Sequence, residues 1–141
     1  MIKLETSRLF MRPFLVEDAE YMFELNSDTE VIQYTGDTAF KNKEEVADFI
    51  KKYDQYTKYQ TGRFQLFLKQ TGEYIGFCGL KTHRDNSVDL GFRLARKFWG
   101  QGYAYEAAVK SIEYGFKVLQ LSEIKANVMP ENTSSEKLIL K

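Results

Sequence analysis

Cysteine and histidine are almost missing from this chain, which has one of each, Cys78 and His83. A lone cysteine closes no internal disulfide, and one cysteine with one histidine builds no zinc site, so a metal is not expected. No apolar run reaches the roughly 18 residues that a membrane span needs, and no signal-peptide core or transit-like segment occurs. The reading is a soluble, cytoplasmic protein with no membrane partner. Net charge is also missing: twenty basic residues face twenty acidic ones, which removes the attraction that nonspecific nucleic-acid or acidic-membrane binding requires. Recognition of a substrate must therefore be local. No linker, repeat or low-complexity segment divides the chain, and 141 residues at 43% hydrophobic and 28% charged make one domain, 1–141, with a real core.

The pattern of apolar residues predicts alternating element types. Ile2–Phe14 reads as a strand with polar interruptions, ended by Pro13, and Glu17–Asn26 as a helix with Ala19, Met22, Phe23 and Leu25 largely on one side. Asp28–Lys41 is irregular. A second helix opens at Asn42 or Lys43 and runs to about Tyr59, with Val46, Phe49, Ile50 and Tyr53 at helical spacing. Phe64–Lys69 and Glu73–Thr82 are strands joined across Gln70-Thr71-Gly72, and Asp85-Asn86-Ser87 turns the chain into Val88–Ala95. A helix follows from about Gly102 to Leu119, with Ala104, Ala108, Ile112, Phe116 and Leu119 on one stripe. Glu123–Met129 is the next strand, parallel to Val88–Ala95, and Asn132 is placed to cap a final helix. Cys78 reads as a small buried hydrophobe within its strand, against the alternative of a nucleophile, and His83 as a solvated strand-end residue.

The stretch Phe98-Trp99-Gly100-Gln101-Gly102-Tyr103-Ala104-Tyr105-Glu106-Ala107 organises the rest. Two glycines follow a strand and precede a helix, where unpaired backbone N–H groups and the helix dipole hold an anion such as a diphosphate. The alternatives are a plain tight turn and a dinucleotide fingerprint. The fingerprint needs a small third residue where Tyr105 stands and an acidic residue about 20 positions on, and Glu123 precedes the next apolar run instead of ending it.

Together with Val88-Asp89-Leu90-Gly91-Phe92-Arg93-Leu94-Ala95, this stretch resembles the acetyl-CoA-binding core of the GNAT acyltransferases, and most closely the branch that acetylates ribosomal-protein N-termini. Their Gln/Arg-x-x-Gly-x-Gly/Ala pattern falls on Trp99 to Ala104, with Trp99 departing at the first position, where the resembled branch commonly has a large aromatic residue. Leu4-Glu5-Thr6-Ser7-Arg8-Leu9, Arg12-Pro13-Phe14, Gly72-Glu73-Tyr74-Ile75-Gly76 and Pro130-Glu131-Asn132 with Ser135 match the same branch in order. The resemblance implies an α/β fold of the α+β type, a central mixed sheet with flanking helices, acetyl-CoA as acetyl donor and a primary amine as acceptor, either a protein N-terminus or a small amine.

Within that resemblance, Trp99, Gly100, Gln101, Gly102, Tyr103 and Ala104 hold the cofactor's diphosphate, backbone groups of Arg93, Leu94 and Ala95 meet its pantetheine arm across a splay between two strands, and Asn132 faces it from the last helix. A backbone N–H near Leu94 serves the oxyanion. Asp89 is the candidate general base and Ser135 the candidate proton donor to the leaving sulfur; their alternatives are a solvent-facing strand residue and a first-turn helix residue bonding its own backbone. Glu106 is explained by the helix dipole alone. A catalytically silent CoA-binding module or assembly subunit is the alternative to an enzyme. Family members usually continue with two strands beyond the last helix, whereas this sequence stops at Lys141, whether as a fragment, a truncation or a chain completed by a partner. The expectation is an exposed strand edge at Glu123–Met129 and a homodimer formed through Glu123–Lys141.

Overall fold

The computed structural model describes residues 2–28 and 40–126. Six strands form one sheet in sequence order: β1 (Leu4–Glu5), β2 (Leu9–Pro13), β3 (Gly62–Leu68), β4 (Tyr74–Thr82), β5 (Val88–Leu94) and β6 (Lys125–Ala126). Each neighbouring pair from β1 to β5 is antiparallel, and β6 joins β5 in parallel, with Asp89 opposite Lys125 and Leu90 opposite Ala126. This is the expected mixed sheet. Among the described residues the α-helices are α1 (Ala19–Ser27), α2 (Lys43–Lys52), α3 (Gln55–Lys58) and α4 (Tyr103–Glu113).

Side chains alternate across each strand, so the two faces of the sheet carry two cores. Leu9, Met11, Phe64, Leu66, Cys78, Leu80, Leu90 and Leu94 pack with Ala107, Ala108 and Tyr114 on the face that α4 covers. Fully buried alanines at the contact let that helix lie close to the strands. The opposite face packs Phe14, Met22, Val46 and Ile50, with Phe77, Tyr53 and Tyr56 against them, beneath α1 and α2. Cys78 is wholly buried, and desolvation pushes its thiol up to about 11, as a packing residue requires and a nucleophile does not.

Three expectations need correcting, and a fourth is described only in part. Ile2–Phe14 is two short strands, because the chain bends at Thr6–Arg8: Thr6 N–H donates to Leu9 O and its hydroxyl accepts from Leu9 N–H. The helix expected to reach Tyr59 ends at Lys52, where Tyr53 turns extended (φ −75°, ψ 107°). The break lets two hydroxyls reach the start of β3, since Tyr53 Oη accepts from Arg63 N–H and Tyr56 Oη donates to Arg63 O. The long helix stops being α-helical after Glu113 and finishes as a π turn over Tyr114–Val118. Gly115 there is wedged beneath Leu80 and Ile124, and the extra residue in the turn rotates Phe116 off the apolar stripe to 43% exposure. Finally, Glu123–Met129 is a strand over Lys125–Ala126 among the described residues; Asn132, Ser135, most of Asp28–Lys41 and the rest of the C-terminal expectations lie outside them.

Candidate acetyl-CoA site

Antiparallel pairing brings the end of β5 to the rim where β4 and β2 begin, since Leu94 faces Gly76 and Leu9 faces Leu68. At that rim β5 runs through a short 3-10 turn, Arg96–Phe98, into Gly100-Gln101-Gly102 and α4. Gly100 and Gly102 both take left-handed backbone, with φ of 76° and 84°. A Cβ at Gly100 would meet nothing within 4 Å, so that glycine is required by conformation and leaves open space in front of the loop. Gly102 caps α4, and the first bond inside the helix is from Glu106 N–H to Gly102 O at 3.0 Å. The N–H groups of Tyr103 and Ala104 precede that bond and point out of the positive end of the helix. Unpaired amides at a helix start are the kind of group that can hold a diphosphate.

Trp99, at the departing position, has a defined job. Its indole N–H donates to Leu94 O at 2.9 Å, tying the loop to the end of β5, while Gln101 Nε2 donates to Lys97 O at 2.9 Å and braces the turn from within. Phe98 is buried and meets Tyr103 edge-on, with ring centroids 6.2 Å apart.

The expected backbone trio Arg93, Leu94 and Ala95 does not share one orientation. Ala95 N–H donates to Ile75 O at 3.0 Å and Ala95 O accepts from Phe98 N–H at 3.0 Å, so its N–H is spent on β4 and only the second lone pair of its carbonyl is left for a ligand. Backbone groups in a strand alternate between its two edges; Arg93, two residues back and opposite Phe77, turns the same way as Ala95, toward β4. Leu94 N–H alone of the three faces the other edge. The described pairing of β5 with β6 ends at Leu90 and Ala126, so the expected splay lies outside the described residues.

On the α1/α2 face, Asp89, Gly91 and Arg93 line β5. Asp89 is 19% exposed, with Oδ1 3.0 Å from Arg63 Nη2 and Oδ2 2.7 Å from His83 Nε2. His83 is therefore the partner of Asp89 and not merely a solvated strand-end residue. Arg63 reaches Asp89 across two glycines, donating to Gly79 O at 2.8 Å, and a side chain at Gly91 would strike its guanidinium. Burial works to raise the Asp89 carboxyl, but hydrogen bonds and charges from His83 and Arg63 together outweigh it and hold the group below its usual range. A depressed pKa stabilises the fold above the ordinary carboxylate value, about 3.9, and that stability is lost as pH falls through the folded value. Further along the same face, Arg93 donates to Asn26 Oδ1, and buried Asp18 takes both Nη atoms of Arg12 at 2.8 and 2.7 Å.

One cluster at the rim has no counterpart in the sequence reading. Glu106, in the first turn of α4, accepts from the Thr6 hydroxyl, from Arg8 N–H at 2.9 Å and from Arg8 Nε at 2.8 Å. Arg8 Nη1 also donates to Gln101 O at 3.1 Å. Thr6 and Arg8 stand in a motif that the resemblance quotes, yet no local rule links them to a helix 100 residues away.

The acetyltransferase (GNAT) domain model matches residues 8–141. The chain belongs to the GNAT acetyltransferase family. A further match is an uncharacterised N-acetyltransferase of Bacillus licheniformis, 38% identical over 99% of this chain and 80% of that one. Among solved structures, a GNAT-family acetyltransferase from Bacillus anthracis superposes with a TM-score of 0.84 at 28% identity, covering 99% of this chain and 81% of the other. A spermidine N-acetyltransferase from Vibrio cholerae, solved with CoA and spermine, shares the fold at a TM-score of 0.82 and 21% identity, covering 96% and 79%. The GNAT fold takes acetyl-CoA as co-substrate, and the described residues contain no group of His, Cys, Asp and Glu that could hold a metal and no helix long and apolar enough to cross a membrane. The family match and the relatives identify this domain as a GNAT-family N-acetyltransferase.

Proposed function

We propose that this acetyltransferase moves the acetyl group of acetyl-CoA to a primary amine, in the cytoplasm, with a protein N-terminal α-amine or a small amine as acceptor. The observation that carries the reading is the pair of left-handed glycines, Gly100 and Gly102, opening α4 at the rim where β5 ends. In this reading the loop and the first amides of α4 hold the diphosphate. Leu94 N–H, turned away from β4, is the donor for the thioester oxygen as it gains charge. Acetyl-CoA supplies the activated acyl group, and this chain supplies anion binding, alignment and an entry from the α1/α2 face for the amine. Asn132 facing the cofactor and Ser135 protonating the leaving sulfur belong to the same proposal, as does a homodimer paired beside β6, the strand at one edge of the sheet among the described residues.

An α-amine near pKa 7.7–8.0 is roughly a tenth neutral at pH 7, whereas a lysine near 10.4 is neutral in under about one molecule in a thousand. An N-terminal acceptor therefore asks least of a base, which suits a site whose carboxylate is already engaged. Asp89, held on both oxygens by Arg63 and His83, is better placed to position β5 than to take a proton. Asp89→Asn is expected to lower turnover by a similar factor at every pH and to lower stability at pH 7 by about 2 kcal/mol, the scale of a charged hydrogen bond. A pH–rate profile combined with denaturant melts checks this; a deficit confined to pH below about 8 would restore Asp89 as the base.

The acceptor is tested by following thiol release from acetyl-CoA with N-terminal peptides, polyamines and small amines at equal concentration. The reading expects turnover with at least one class and highest kcat/KM for α-amines. CoA binding with no turnover across the panel would leave a silent binding module, and the chemistry would have to be abandoned.

A further inference from the structure

An anion cradle with a carboxylate in its first helical turn contains a conflict. Glu106 is stabilised by the same positive helix end that would attract a phosphate, and its charge repels that phosphate. The bend between β1 and β2 addresses this. Thr6 Oγ1 and Arg8 N–H donate to one oxygen of Glu106 and Arg8 Nε to the other, so the carboxylate is drawn toward the bend and its charge is matched. Burial works to raise the Glu106 carboxyl, but Thr6 and Arg8 outweigh it and hold it low, in keeping with a charge that is held rather than tolerated.

The same guanidinium then touches the loop residue by residue. Nη1 donates to Gln101 O at 3.1 Å, Nη2 stands 3.3 Å from where a Cβ at Gly102 would lie, and Cζ sits over the Tyr103 ring, 4.3 Å from its centre. With 45% of the side chain exposed, its outer edge faces the rim. Arginine suits this place because its fork can grip a carboxylate, a carbonyl and a ring at once and still present a donor to a phosphate oxygen.

We propose that Arg8 is a positioning residue for the co-substrate, fixing the Gly100–Gly102 loop and cancelling Glu106 so that the diphosphate of CoA, and not its pantetheine arm, depends on the β1–β2 bend. The inference rests on the acetyl-CoA reading above. It is tested with Arg8→Ala, Arg8→Lys and the double variant Arg8→Ala with Glu106→Gln, by calorimetric titration with CoA and by turnover of acetyl-CoA against acetyl-pantetheine, which lacks the diphosphate.

Arg8→Ala is expected to weaken CoA binding about tenfold or more, the scale of a lost charge-assisted hydrogen bond, and to raise the KM for acetyl-CoA while kcat holds. Turnover of acetyl-pantetheine stays at the wild-type level. Arg8→Lys, which keeps charge and stem and so guards against misfolding, recovers part of the affinity, and the double variant recovers several-fold because the uncovered carboxylate is gone. Equal losses with both thioesters would make Arg8 a general structural residue and overturn the proposal, as would unchanged CoA affinity in folded Arg8→Ala. If Gly102→Val abolishes CoA binding while Arg8→Ala leaves it intact, the cradle stands and only this inference fails; if the wild-type chain binds no CoA, both fall.

Discussion

Gly76→Ala is expected to cost about 4 kcal/mol of stability, the sum of roughly 1–3 for overpacking and roughly 1–3 for forced backbone. Gly76 lies in β4 with φ 147°, and a Cβ there would stand 2.1 Å from Arg93 O and 2.9 Å from Leu94 Cα. Those atoms are backbone of the neighbouring strand, so no side chain can swing aside; β5 itself must move. Thermal unfolding should fall by roughly 10 °C, taking about 2–4 °C per kcal/mol for a chain of this size. Gly72→Ala provides the control, since Gly72 also has positive φ (78°) but nothing within 4 Å of the added carbon. Its loss should be near 1 kcal/mol, the conformational part alone. Equal losses at the two positions would remove close strand approach from the explanation. Because Gly76 faces Leu94, residual folded Gly76→Ala should also bind CoA more weakly than its stability alone accounts for.

Gly102→Val is expected to weaken CoA binding by about a hundredfold, near 2.7 kcal/mol, while the melting transition stays cooperative. A β-branched residue resists φ of 84°, so the cap of α4 must flip to negative φ and carry the amides of Tyr103 and Ala104 out of line. The valine side chain also meets Arg8 Nη2 and occupies the place where the backbone approaches the ligand. The core is remote from the change: Gly102 is exposed and the buried residues of α4 begin at Ala107. Titration with CoA decides the matter, and unchanged affinity in a folded variant would take the glycine loop out of the site.

The sheet from β3 to β5 is legible in the sequence because alternation, a short turn at Gln70-Thr71-Gly72 and another at Asp85-Asn86-Ser87 are local signals. The glycine loop is legible for the same reason, as strand, glycines and helix follow one another within a few residues. What escapes is whatever depends on distant partners. The Thr6–Arg8 bend lies inside an apolar pattern that one strand satisfies equally well, and only Glu106 reveals why the chain turns there. The break at Tyr53 hides within helical spacing because the hydroxyls that cause it reach for Arg63 in another element. Asp89 reads as a free carboxylate until Arg63 and His83 arrive from β3 and the end of β4, and the orientation of Leu94 follows from pairing register, which composition does not encode.

Trp99 is the chain's single tryptophan, and it is 47% exposed with its indole N–H fixed to Leu94 O beside the glycine loop. All indole fluorescence of the protein therefore originates within one hydrogen bond of the end of β5. An emission spectrum taken during titration reads this one locality with no label and no averaging over other fluorophores of its kind. Trp99 thereby gives the domain a built-in optical probe of its own loop.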